Sequence, residues 1–173
     1  MDIYTTVEEK YLQAIEELHW GELPKAHQYF KEIIAFDEEY ARAYFQIGNL
    51  HYHHFKDYKT AGYYFKRCTE LEPEFPDVWE PYLKLVITLK MNKLIDQIAE
   101  KALNTAGVCV AHIYQDLGLN AEQQQQYEKA RYYFKKAEQF NAALDEQSQL
   151  QEHQNRIKNK IESAKAMIYN LQG

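Results

Sequence analysis

An all-α solenoid of stacked helix hairpins is the fold the sequence predicts, and three observations predict it. Tyr44, Trp79 and Tyr114 recur at a step of 35 residues. Gly48, Leu83 and Gly118 follow each of them by four positions, and Ala-x3-Phe recurs as Ala26/Phe30, Ala61/Phe65 and Ala130/Phe134. A fixed period in this range marks repeat architectures, in which each unit buries its apolar face against the next.

The elements follow in order. Tyr11, Ala14, Ile15 and Leu18 share one helix face over residues 7–20, which Gly21 ends. Pro24 suits the first turn of a second helix, running to about Phe36 with Ala26, Phe30, Ile33 and Ile34 inward. These make a hairpin over about 7–40, with 37–40 as its closing turn. A second hairpin, about 41–75, carries Tyr44, Ile47, Gly48 and His51, then Tyr58, Ala61, Phe65 and Cys68, and Pro73 and Pro76 stop it. A third, about 76–110, carries Trp79, Tyr82, Leu83 and Val86, then Ile95, Ile98, Ala99 and Ala102 around a glycine-free turn at 90–93. A fourth, about 111–144, carries Tyr114, Leu117, Gly118 and Ala121, then Ala130, Phe134 and Ala137, with Gln123–Gln126 ending one helix and making the turn. Residues 145–173 read as a final helix of the same domain. Its stripe of Leu150, Ile157, Ile161, Ala164, Ile168 and Leu171, interrupted by Gln154, caps the open end of a 1–144 solenoid or pairs two copies weakly.

Composition narrows the function. The net charge of −6 makes a phosphate backbone a poor partner, so no nucleic acid is expected. The acidity is concentrated: residues 1–80 hold 16 Asp/Glu against 8 Lys/Arg, and 81–173 hold 10 against 12. Cys68 and Cys109 read as small core residues of a reducing compartment. The N-terminus has no secretory pattern and no stretch is apolar enough to span a membrane, so a cytoplasmic protein is expected. No nucleophile elbow, phosphate-binding glycine loop or zinc-protease motif is present, and no enzyme, cofactor or catalytic residue is expected. His51, with Tyr52, His53 and His54, is the densest group of metal-ligand types. His51 occupies a motif position that is normally core, so no metal is expected.

The repeated markers resemble the tetratricopeptide repeat family, whose pattern is aromatic-x2-Leu-Gly-x2-Tyr, then Ala-x3-Phe, then Pro. Tyr44, Ile47, Gly48, His51, Ala61, Phe65 and Pro73 match it in the second hairpin; Tyr114, Leu117, Gly118, Ala130 and Phe134 match it in the fourth. The resemblance covers about residues 7–144 and implies a right-handed superhelical solenoid of four hairpins plus the C-terminal capping helix. It implies a non-catalytic scaffold that holds a peptide or helical segment of a partner protein in a groove lined by the first helix of each hairpin. On that reading Tyr11, Phe45, Gln46, Asn49, Tyr52, His53 and Lys84 face a basic or neutral ligand. Leu12 and Ile15 lie beside them, unless Tyr11, Leu12 and Ile15 pack on their own hairpin or on Met1–Tyr4.

One subclass of the family clamps the C-terminal carboxylate of heat-shock chaperones with lysines, asparagines and an arginine. The corresponding positions here are Tyr11, Ile15, Gln46, Asp77 and Pro81, none of which matches, so a co-chaperone role is not expected. Two alternatives stay open. The chain is similar in size and charge to dedicated chaperones of secretion or assembly systems. A helical-repeat RNA binder shares the period, against the acidic balance.

Overall fold

The computed structural model describes residues 6–140 and 144–172, with side chains over 6–140 and 147–166. Among these residues there are nine α-helices and no strand. They are α1 (Val7–Trp20), α2 (Leu23–Phe36), α3 (Ala41–Leu50), α4 (Tyr58–Leu71), α5 (Trp79–Thr88), α6 (Asn92–Asn104), α7 (Val110–Gln123), α8 (Tyr127–Phe140) and α9 (Leu144–Gln172). A π-helical turn (His51–Phe55) extends α3, and a 3-10 turn (Pro76–Val78) precedes α5. The all-α fold predicted from the period is the fold observed. No described helix is long and apolar enough to cross a membrane. Contacts divide the chain into two compact units, Met1–Met91 and Asn92–Gly173.

In the first unit α1 opens on a reciprocal cap. The Thr6 hydroxyl accepts from the Glu9 amide at 3.2 Å and the Thr6 amide donates to the Glu9 carboxylate at 2.8 Å. Asp57 caps α4 by accepting from the Thr60 amide. The aromatic marker has a second job besides filling space. Tyr44 donates its hydroxyl to the carbonyl of Glu38, and Trp79 its indole N–H to that of Pro73, each six residues upstream. The marker thus pins the turn that leads into its own helix. Tyr114 differs, being half-buried and stacked on Tyr133 and Phe140.

The glycines seat the phenylalanines. A Cβ at Gly48 would lie 2.6 Å from the Phe65 ring, and one at Gly118 would lie 2.7 Å from the Phe134 ring. Both rings are fully buried. Each lies over the glycine of its own hairpin, and Phe65 also meets Tyr82 of α5.

A left-handed residue follows the first helix at each repeat: Gly21 (φ 85°), Lys56 (55°), Lys90 (54°) and Gln125 (59°). Only the first is a glycine. A side-chain-bearing residue in this region is strained by about 1–2 kcal/mol. Lys56→Gly and Gln125→Gly should therefore each raise stability by roughly 0.5–1 kcal/mol, the relief being partly offset by the greater freedom of glycine in the unfolded chain. A later urea midpoint is the expected readout; an earlier one for both variants would contradict the assignment.

In the second unit α9 packs along α8. Leu150, Ile157 and Ile161 are buried with Ala121, Ala130, Phe134 and Ala137. His153 stacks on Phe134 at 5.0 Å, and Gln154, the break in the stripe, donates to Glu138 at 2.9 Å. Glu122 of α7 accepts from Arg156 Nε at 2.7 Å, from Arg156 Nη2 at 2.6 Å and from Lys160 Nζ at 2.7 Å. Three residues of the stripe, Leu150, Ile157 and Ile161, are thus occupied within the chain. Ala164 departs from expectation and is exposed; the side chains of Ile168 and Leu171, like Met1–Tyr4, lie outside the described set.

The cysteines also differ from expectation in part. Cys68 is core, and burial pushes its thiol up to about 12, whereas Cys109 is exposed at the N-terminal cap of α7.

Candidate peptide-binding site

The candidate residues of the first unit lie on α1, α3, the π-helical turn and α5, and they separate into two groups. The aromatic group is engaged within its own fold. Tyr11 is half-buried, with its ring 5.7 Å from Phe30 and 5.5 Å from Tyr40. Its hydroxyl accepts from Gln46 Nε2 at 3.2 Å, which ties α1 to α3. Phe45 is half-buried against Phe65 and Phe75, and Tyr52 against Phe65 and Tyr58. Ile15 packs on the first hairpin's core, while Leu12 is 64% exposed. These rings shape the surface more than they offer it.

The second group lines a cavity of about 510 Å³ walled by Leu18, Leu23, Leu50, Pro81, Asn49 and His53, with Gln46 and His54 also on its lining. The floor is aliphatic and the polar groups are carboxamides and imidazoles. Asn49 Oδ1 is shut off from water and has no hydrogen-bond donor. Such an acceptor carries a penalty of about 1–3 kcal/mol, and native structures keep few of them. Partial burial, with His54, Lys56 and Lys84 nearby, holds the His53 imidazole below its usual range. Lys84 pairs with Glu80 at 2.5 Å along α5.

A cavity of about 220 Å³ in the second unit is lined by Asn92, Asn120, Gln124 and Gln126 among others. Its carboxamides bond one another: Gln124 donates to Asn120 and Asn92, and Gln126 donates to Gln124. That closed network offers a ligand less than the unmatched Asn49.

A contact not anticipated from sequence joins His27 of α2 to His51. Their Nε2 atoms are 3.4 Å apart. His54, the sequence-proximal neighbour of His51, is not the residue that meets it. No group of three or more His, Cys, Asp or Glu positioned for a metal ion occurs among the described residues.

The tetratricopeptide repeat profile matches residues 41–75 and 111–144, the two stretches whose markers are most complete. No curated protein matches the chain in sequence. Solved structures do. MamA from Desulfovibrio magneticus RS-1 aligns over 91% of this chain and 96% of its own, at 20% identity and TM-score 0.67. PilF of Pseudomonas aeruginosa aligns over 97% and 75%, at 18% identity and TM-score 0.71. YrrB, described as a TPR protein with an unusual peptide-binding site, aligns over 90% and 84%, at 15% identity and TM-score 0.68. Identities this low speak to fold alone. Both profile matches fall on observed hairpins, α3/α4 and α7/α8, so the chain carries tetratricopeptide repeats at residues 41–75 and 111–144.

Proposed function

We propose that the first unit holds a short segment of a protein partner at the cavity between α1, α3 and the start of α5, without catalysis. Asn49 carries this reading: the residue lines an aliphatic cavity, and its amide oxygen is buried behind that lining without a donor. A turn of the Asn49 side chain on binding brings that oxygen to a ligand N–H and recovers a hydrogen bond the free protein lacks, while an aliphatic ligand side chain fills the space over Leu18, Leu23 and Leu50. The surrounding acidic excess favours a basic or neutral segment and speeds its encounter at low salt. The peptide site named for YrrB supports only the point that this fold can carry one.

Panning a displayed random-peptide library on the full chain tests the reading. Enriched peptides should lose about tenfold in affinity against Asn49→Ala, the worth of one buried hydrogen bond, with the helical signal intact. Equal binding by the variant would sink the proposal, as would a library that enriches nothing. Phe45→Ala with Tyr52→Ala is the poorer probe, because both rings support Phe65 and their loss lowers the melting midpoint too.

A further inference from the structure

We infer that His27 and His51 form a two-imidazole site for a late divalent transition metal of the zinc or copper class, independent of the peptide cavity. The separation is the first ground. Two imidazole nitrogens bound tetrahedrally at about 2.0–2.1 Å from one zinc ion stand about 3.3–3.4 Å apart, and the two Nε2 atoms are 3.4 Å apart. The second ground is what lies behind the ligand atom. Asp57 Oδ2 is 3.7 Å from His51 Nδ1, which has no hydrogen-bond partner. A carboxylate behind the distal nitrogen is the usual support of a metal-binding imidazole, because it fixes the ring and its tautomer.

The third ground is that the rings are already held. The His51 ring stacks on Tyr64 at 5.9 Å, and Phe55 meets His51 edge-on at 5.2 Å and His27 at 5.6 Å. The π-helical turn that carries His51 and Phe55 belongs to a class of distortion common at functional sites.

The proton balance is simple. In the free protein one Nε2–H bridges the pair. On binding, that ring carries its proton on Nδ1 instead, leaving both Nε2 lone pairs for the metal, with no net proton released. For His51 the Nδ1 proton then faces Asp57. Lys31 is the opposing charge, since it disfavours positive charge on both rings. With two protein ligands, water fills the remaining positions and the metal exchanges readily. It joins α2 to the turn between α3 and α4, so binding stabilises the first unit by mass action.

Titration calorimetry of the full chain with zinc chloride should show one equivalent bound and a melting midpoint that rises with zinc. His27→Gln should lose both effects, and His53→Gln with His54→Gln should keep them. No bound equivalent in the wild type, or undiminished binding in His27→Gln, overturns the inference. Should His27→Gln not fold, the imidazole nitrogen resonances of the wild type decide: zinc should move Nε2 of His27 and His51 together. Movement confined to other histidines overturns the site, and leaves the pair as a hydrogen bond alone.

Discussion

Gly48→Leu should destabilise the protein by roughly 3 kcal/mol, the upper part of the range for inserting bulk into a packed core. The Cβ alone would stand 2.6 Å from the ring of Phe65, closer than real Cβ contacts come. Phe65 is fully buried and bears on Phe45, Tyr52 and Tyr82, so it has nowhere to retreat. Gly118→Leu meets Phe134 in the same way at 2.7 Å. Gly62 supplies the contrast. It lies inside α4, and a Cβ there would make only an ordinary contact of 3.5 Å with Leu85. Gly62→Ala should raise stability by about 0.5–1 kcal/mol through helix propensity and reduced chain entropy. Urea midpoints that fall for Gly48→Leu and rise for Gly62→Ala confirm the seating. Equal midpoints for Gly48→Leu and the wild type refute it.

Acid should release α9 from the second unit. The Arg156 guanidinium, with Lys160 beside it, holds the Glu122 carboxyl at about 2 against a usual value of 4.5. A carboxyl whose pKa is lower folded than unfolded contributes stability above the unfolded value and loses it as pH falls through the folded one. The contact is therefore whole above about pH 4.5 and gone near pH 2. Glu122→Gln should reproduce the acid state at pH 7, at about 1–2 kcal/mol, because the partners Arg156 and Lys160 keep 42% of their side-chain surface in solvent. Hydrogen exchange across residues 150–161 should rise in wild type between pH 4.5 and 2, after correction for intrinsic rates, and be raised already at pH 7 in the variant. Unchanged protection in Glu122→Gln would mean that Leu150, Ile157 and Ile161 hold the helix unaided.

The fold was legible because its markers are residue types at fixed spacing. Gly48, Gly118, Phe65 and Phe134 carry their packing role in their chemistry, and a period of 35 residues repeats it. The left-handed turn residues recur at steps of 35, 34 and 35 but were hidden, since Lys56, Lys90 and Gln125 announce nothing about φ. Packing and the hydrogen bonds of each turn impose that conformation against local preference. The candidate site was legible only as a set of helix positions. Which of its members are engaged depends on partners far along the chain: Tyr11 meets Gln46 and Tyr40, and Phe45 meets Phe75. The unmatched oxygen of Asn49 has no sequence signal at all. The His27–His51 pair spans 24 residues and two helices, a separation that neighbour spacing does not capture. Glu122 looked like one more acidic residue until α9 brought Arg156 and Lys160 to it.

The peptide-binding account rests on where a ligand touches the first unit. Amide hydrogen exchange of the full chain, with and without a peptide enriched by panning, measures this most directly. The account predicts slower exchange on binding in the second half of α1, in residues 46–54, and at the start of α5, the segments that supply Leu18, Asn49, Leu50, His53 and Pro81. Protection confined to α4, α8 or α9, with those segments unchanged, would contradict it.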